Sequence, residues 1–405
     1  MISPTFCVLP FVHIATDPDG ITKPCCISYN RSNLNFGKDD LDIIFNSDFY
    51  RDIRKNMHLG QLVKGCETCY IKEKNSNTSH RLLYNRYFLK NPKIFNIINQ
   101  SLQNQYRVHD HIHYLDLRFG NLCNLQCRSC NPINSSQLNK EILEIQQQNH
   151  DLTKYFAVVD QDFNSWYNTP TFRENFEKSA ASLRLLYITG GEPTLIEQNY
   201  QLMEYLIEHN YAKNIHLKTS TNLTNISKKF IALISQFKVS EVFCSIDGTE
   251  KYQEYLRYPS RWSQIKKNFE YLVANATKSK ITLTPVIQNV NFENIPDLCV
   301  YAQQFPNVDI MPILLEFPQH LDVQYLPQDY KIQCFDKLNS WYQHSDRITP
   351  EFTGIMQQLK SKCFASIDYR DKLTEFRNFT QIFDQHRQVN LAQVNATLAE
   401  ICQSL

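Results

Sequence analysis

Three cysteines, Cys123, Cys127 and Cys130, stand in the stretch LDLRFGNLCNLQCRSCN with the spacing C-x3-C-x2-C. Thiolates this close together on a loop can converge on one metal centre. A closed zinc site needs a fourth protein ligand, and an iron–sulfur cluster is usually held by four cysteines. The next cysteine along the chain is Cys244, so the local set points to a cluster with one open iron. Residues 113–119, HYLDLRF, read as a buried strand, and Gly120-Asn121 break it. A helix is expected over 135–148. A strand feeding a Cys loop and then a helix is where a β/α barrel places its chemistry.

A second motif, Gly190-Gly191-Glu192-Pro193, follows the β-favouring run Tyr187-Ile188-Thr189. Glycine is scarce, nine in 405 residues, so a glycine pair marks a backbone requirement. Together the two motifs resemble the radical SAM superfamily, in which a GGEP turn follows the second barrel strand. The family usually has an aromatic residue before the third cysteine, packed near the adenine. Here it is Ser129, a departure that bears on adenine contacts and not on cluster ligation. The resemblance implies that Cys123, Cys127 and Cys130 bind three irons of a [4Fe–4S] cluster. S-adenosylmethionine (SAM) would chelate the fourth, and its reductive cleavage would yield a 5′-deoxyadenosyl radical that takes hydrogen from a substrate.

Composition narrows the rest. A net charge of +1 implies no polyanionic partner, so nucleic acid is not favoured. No apolar run is long enough to span a bilayer. The first residues lack a basic region and an uninterrupted apolar core, so no signal peptide is expected and the cytoplasm is the expected location. Thirteen cysteines in that compartment point to metal binding or catalysis before disulfides.

Residues 1–110 read as a Cys-rich module. Phe11–Ala15 and Ile21-Thr22 look like strands joined by the turn Asp17-Pro18-Asp19-Gly20, which sets Cys7 and Cys25 at adjacent ends of a hairpin. Cys66 and Cys69 form a C-x2-C pair. Four thiolates suit zinc or a second [4Fe–4S] cluster, and spacing does not separate the two. The pattern C-x12-G-x4-C with a later C-x2-C resembles the auxiliary-cluster domains called SPASM or twitch, set here ahead of the barrel. That resemblance selects Cys25 and leaves Cys26 as a buried neighbour. The full seven-Cys SPASM pattern is absent, which implies one auxiliary cluster. Glu73, Ser79-His80-Arg81 and Asn85 also resemble twitch-type members. Short helices are expected over 41–45 and 49–58, and a helical bridge over 71–110.

Residues 111–316 alternate β and α patterns, with strands near 113–119, 183–189, 214–219, 239–246, 280–290 and 308–315. The resemblance implies a partial (β/α)6 TIM-type barrel. Strand ends then fall into register with the family's SAM contacts: Gly190, Gly191, Glu192 and Pro193 toward the methionine amine, Asn222 close to the methionine, Ser245 and Asp247 toward ribose or carboxylate, Arg257 toward the carboxylate. Gln288 and Asn289 would meet ribose or substrate, and Leu314 and Leu315 the adenine. A Ser or Asn at a strand end is also an ordinary turn former. No catalytic side chain is assigned from the sequence, although Cys363 is a candidate hydrogen donor. Residues 150–182 form a long insertion, read as surface helices over the barrel or a substrate lid. Residues 317–405 read as a C-terminal helical region with helices over 330–342, 350–363 and 368–388. There, Phe383-Asp384-Gln385-His386-Arg387 resembles the closing helix of twitch-type members.

The expected substrate is a peptide or protein, with a sugar, nucleoside or other small metabolite as the alternative. A reductase such as flavodoxin or ferredoxin would supply the electron. A reading of another class is a zinc- or cluster-stabilised binding protein without catalysis. The GGEP turn and the missing fourth ligand argue against it.

Overall fold

The computed structural model describes residues 3–75, 79–109, 112–148, 152–161 and 163–405. The expected bridge over 71–110 and the insertion over 150–182 each lie partly outside the described residues. The chain divides into two compact units, one of Met1–Leu122, Asp160–Thr219 and Ala232–Ser240, the other of Cys123–Val159, Ser220–Ile231 and Glu241–Leu405.

In the first unit the turn at Asp17–Gly20 forms as its sequence dictates. The Gly20 N–H donates to the Asp17 carbonyl (2.9 Å) and Asp17 N–H to the Ile21 carbonyl (2.9 Å). It joins β1 (His13–Thr16) to β2 (Thr22–Lys23) in an antiparallel pair. The first strand starts later than expected, because Leu9–Val12 is a short helix opened by Pro10, whose fixed φ suits a first helical turn. β1 also pairs in parallel with β3 (Tyr114–Arg118), His13 opposite Tyr114. The N-terminal hairpin therefore extends the same sheet as the first barrel strand, a non-local pairing with no local signature. β3 pairs in parallel with β4 (Leu185–Thr189), and β4 with β5 (His216–Thr221). The bridge is three helices, Glu67–Asn75, His80–Phe88 and Pro92–Gln103.

The insertion packs on barrel residues, Phe172 edge-on to Phe119 and Phe176 edge-on to Tyr205, and it reaches the N-terminal module as well. Its helix Pro170–Ala180 follows a turn carrying Trp166, and both pack on the N-terminal module. The Trp166 indole N–H donates to the Pro18 carbonyl (2.9 Å), and the Asn175 amide donates to the carbonyls of Phe36 and Asp39 (2.9 and 2.8 Å). Gly37 is required here: a Cβ on it would stand 1.9 Å from the Trp166 carbonyl oxygen.

In the second unit, β6 (Val239–Cys244, its last four residues) lies beside β7 (Ser279–Leu283), and β7 pairs in parallel with β9 (Val308–Ile310). Two expected long strands are each cut in two. β8 (Val286–Ile287) and β10 (Ile313–Leu314) form a separate parallel pair. The cuts fall at Pro285 and Pro312, neither of which has an N–H to give to a ladder. Along the chain as a whole, helices follow the strands at Ser136–Gln147, Glu197–Glu208, Lys228–Ile234, Trp262–Asn275 and Ile295–Gln303. Parallel strands alternating with helices in this order make an α/β fold of the partial (β/α)6 barrel type. The tail holds helices Gln328–His344, Pro350–Phe364 and Arg370–Arg387, as expected, and two unexpected short ones, Leu391–Val394 and Ala396–Gln403. No helix among the described residues is long and apolar enough to cross a membrane.

Candidate functional site

The Cys loop is fixed by its own backbone. Gln126 N–H donates to the Tyr258 carbonyl (2.6 Å), Arg128 N–H to the Leu256 carbonyl (2.9 Å), and Cys130 N–H to the Cys127 carbonyl (3.1 Å). Ser135 closes it, giving its hydroxyl to the Leu125 carbonyl (2.6 Å) while capping the next helix through Leu138 N–H (3.2 Å). Cys123 is buried; Cys127 and Cys130 are partly so. Burial raises the Cys127 thiol, against the pull of Arg257. Burial and then the neighbouring Cys127 and Cys123 push Cys130 up to about 12. Thiols in this state ionise when a metal displaces their protons.

Arg257 reaches this loop. Its Nη1 lies 3.8 Å from Cys127 Sγ, and its Nε donates to Asp247 Oδ2 (2.7 Å). The other Asp247 oxygen accepts from Val286 N–H (2.8 Å), so Asp247 orients the guanidinium and both its oxygens are engaged within the protein. Burial opposes the charge on Arg257, but Asp247 and then Cys127 raise its pKa all the same. Asn222 Nδ2 lies 3.9 Å from Cys123 Sγ and donates to Asn124 Oδ1 (3.0 Å). Ser245, half-buried, is held by its N–H on the Thr221 carbonyl (2.9 Å). Gln288 is fully buried, and neither polar atom of its side-chain amide finds a hydrogen-bond partner among the described residues. A buried amide in that state is costly unless a ligand or water satisfies it. Its neighbour Asn289 donates from Nδ2 to the His320 carbonyl (2.9 Å), while its Oδ1 finds no partner among the described residues. Leu314 and Leu315 are buried. Cys363 is fully buried, and burial pushes its thiol to about 12, the setting of a packing cysteine.

In the first unit, the glycine pair takes positive φ, +90° at Gly190 and +49° at Gly191. A Cβ on Gly191 would stand 2.2 Å from the carbonyl oxygen of Leu122, the residue before Cys123. That same carbonyl accepts from Glu192 N–H (2.8 Å). The Glu192 carboxylate turns inward, accepting from Thr194 N–H and Oγ1 (3.1 and 2.7 Å), and Pro193 opens a 3-10 turn.

The N-terminal cysteines share one hollow. Cys7, Cys25, Cys66 and Cys69 line it, with His80 and Arg81 on its wall. Burial raises all four thiols, Cys66 to about 12. Cys26 is not among the lining residues; its Sγ lies 3.5 Å from His80 Nε2. The residues singled out beyond the cysteines act together. Arg81 pairs with Glu73, which also takes the Ser79 hydroxyl, and Arg81 Nη1 donates to the carbonyls of Pro4 and Phe6 (both 2.8 Å). Asn85 Oδ1 accepts from Val8 N–H (2.8 Å) and its Nδ2 donates to the Phe6 carbonyl (3.0 Å). The backbone on either side of Cys7 is thus held by two side chains of one helix.

These donor sets fit iron–sulfur clusters. Four thiols around a hollow, and three on a pinned loop, suit a polynuclear group. Comparison with known families gives the same result. Residues 117–302 match the radical SAM superfamily. The chain carries a radical SAM domain. Residues 7–70 match SPASM, an iron–sulfur cluster-binding domain, so the auxiliary domain precedes the radical SAM domain. A radical SAM domain works with a [4Fe–4S] cluster and SAM, and the SPASM domain adds a second iron–sulfur site. No curated protein matches the chain. Among solved structures it is similar to native anSMEcpe with bound AdoMet and Cp18Cys peptide (16% identity, TM-score 0.36, 56% of this chain and 60% of that one). It is also similar to Streptococcus suis SuiB bound to S-adenosylmethionine (13%, TM-score 0.41, 85% and 71%) and to SuiB bound to precursor peptide SuiA (12%, TM-score 0.37, 81% and 70%). The chain thus spans about three-fifths of the anSMEcpe chain.

Sequence reasoning named the cysteines and Arg257, and the structure brings Arg257 to Cys127. It missed Gln126, Arg128 and Leu122, whose parts are played through neighbours far along the chain. An arginine inside a Cys motif was the available signal.

Proposed function

We propose that this radical SAM enzyme abstracts hydrogen from a peptide or protein side chain, using a cluster held by Cys123, Cys127 and Cys130. The observation that carries the site is a three-thiol loop with a fixed guanidinium 3.8 Å from one of its sulfurs. Bound there, a [4Fe–4S] cluster with SAM supplies a 5′-deoxyadenosyl radical after one-electron reduction. The chain's own residues do the positioning. Asp247 holds the planar Arg257 fork ready for a carboxylate. Asn222 borders Cys123, and the partnerless Gln288 amide offers a donor and an acceptor to a polar ligand. Ser245 completes the SAM contacts proposed in this unit, and Gly190, Gly191, Glu192 and Pro193 remain the sequence-based expectation for the methionine amine.

In the N-terminal module we assign Cys7, Cys25, Cys66 and Cys69 to one auxiliary [4Fe–4S] cluster, a twitch-like arrangement. The hollow supports Cys25 over Cys26, which faces His80 instead. On this reading residues 1–110 are the auxiliary module and bridge, 111–316 the barrel and 317–405 a helical region, working in the cytoplasm with a flavodoxin or ferredoxin reductase. The peptide substrate rests on the pairing of a SPASM domain with a radical SAM domain. Reconstituted enzyme, reduced with SAM, is expected to release 5′-deoxyadenosine. Deuterium from a labelled peptide appearing in that product supports a peptidyl substrate; deuterium arriving only from labelled sugars or nucleosides refutes it.

A further inference from the structure

The helix Arg370–Arg387 ends with two charges that reach the Cys loop, Asp384 partly buried and Arg387 buried. Asp384 Oδ1 pairs with Nη2 of Arg128, and Tyr255 OH donates to the same oxygen (2.8 Å). Arg128 sits between Cys127 and Cys130, is 2% exposed, and lies over the Tyr255 ring (3.9 Å to its centroid). One turn on, Arg387 donates from Nη2 to the carbonyl of Gln126 (2.6 Å), the residue before Cys127. It also grips Glu141, Nε to Oε1 and Nη2 to Oε2, both 2.6 Å. Glu141 belongs to the helix that leaves the Cys loop and is 1% exposed. Arg128 Nη1 and Arg387 Nη1 are buried and have no partner among the described residues.

Buried ion pairs add little net stability over well-packed apolar residues of the same shape. What they do provide is geometry, because a bidentate arginine tolerates one orientation. Both attachments land on the residues flanking Cys127. Through Gln126 and Arg128, Cys127 is bracketed by two backbone bonds from Leu256 and Tyr258 and two side-chain bonds from the closing helix.

From this we infer that Asp384 and Arg387 are positioning residues for the radical SAM cluster, fixing the loop at Cys127 from the far end of the chain. The inference rests on the reading that Cys123, Cys127 and Cys130 hold that cluster. It makes the C-terminal helix part of the cluster's outer shell and not only a layer of packing.

The test compares wild type with Arg387→Lys, which keeps the charge and loses the fork, and with Asp384→Asn and Asp384→Ala. Each is reconstituted as the full chain. The readouts are the rate of iron loss to a chelator, the paramagnetic resonance of each reduced cluster with and without SAM, and the melting curve. Arg387→Lys and Asp384→Ala are expected to speed loss from the barrel cluster about 10-fold and to shift its SAM-dependent signal, with the auxiliary signal unchanged. Asp384→Asn, which keeps an acceptor, falls between. Wild-type rates and spectra in all three variants overturn the inference. So does loss of both clusters in step with unfolding, in Arg387→Lys as well as Asp384→Ala. If a Cys123→Ala, Cys127→Ala, Cys130→Ala variant keeps the full iron content, it is the cluster assignment that has failed instead.

Discussion

Arg257 stands between Asp247 and Cys127, its Nε 2.7 Å from the carboxylate and its Nη1 3.8 Å from the sulfur. One cation therefore has a fixed orientation and still lies against the Cys127 thiol. Replacing it with lysine keeps the charge and discards the planar fork. Arg257→Lys is expected to weaken SAM binding by about 10-fold or more, a loss of about 1.4 kcal/mol, with iron content unchanged. Asp247→Asn, which frees the guanidinium, is expected to lose less. Calorimetric titration of reconstituted protein with SAM measures both.

Gly191 has a backbone that side chains rarely adopt and no room for one. Left-handed φ costs an alanine about 1–2 kcal/mol, and its Cβ would drive into the Leu122 carbonyl at 2.2 Å. Leu122 precedes Cys123, so Gly191→Ala is expected to lower iron at the barrel site and leave the auxiliary iron in place. Iron analysis with resonance spectra of each cluster shows which site loses metal.

His13 and His320 contribute acid sensitivity to the metal-free protein. Burial lowers His13 to about 3 and His320 to about 4, the latter against the opposing pull of Glu375. The folded state keeps both neutral, while an unfolded histidine protonates near pH 6.5. The unfolded chain thus binds more protons between pH 6.5 and about 4, so the stability contributed is full above pH 6.5 and is lost as pH falls. The expected slope is up to about 1.4 kcal/mol per pH unit for each histidine. Urea titrations at pH 7 and pH 5 measure it, and His320→Gln is expected to flatten the dependence.

Arg54 is a buried cation whose hydrogen bonds, among the described residues, go to carbonyls, with the centroid of the Phe45 ring 4.4 Å away. It is 0% exposed and donates to the carbonyls of Pro10 (2.7 Å), Phe45 (2.7 Å) and Tyr106 (3.0 Å), with burial pulling its pKa down to about 9. Arg54→Met leaves three acceptors unsatisfied and is expected to cost about 3–5 kcal/mol. Arg54→Lys is expected to recover little, because one ammonium cannot span the three. Thermal melts of the metal-free variants decide this.

Much of the architecture was legible because barrel strands and helices carry their own periodicity. The helix expected over 135–148 runs Ser136–Gln147, and the strand expected over 113–119 runs Tyr114–Arg118. What the sequence hid is non-local. Nothing near His13 announces a parallel partner at Tyr114, and nothing near Trp166 announces a seat against Gly37. Pro285 and Pro312 were visible, but their cost appears only once neighbouring strands break at the same level. In the candidate site the cysteines were legible from residue type, and Arg257 from the family register. Arg128 and Asp384 form a pair across 256 positions of chain, beyond the reach of any local pattern.

The central claim is that two cysteine sets hold two clusters, one with an iron open to SAM. Anaerobic iron and sulfide analysis with electron paramagnetic resonance tests it, on wild type and on the Cys123→Ala, Cys127→Ala, Cys130→Ala variant, each with and without SAM. The account predicts about eight irons per chain in wild type and about four in the variant, with a SAM-perturbed signal in wild type alone. Equal iron in the two proteins, or a wild-type spectrum indifferent to SAM, contradicts it.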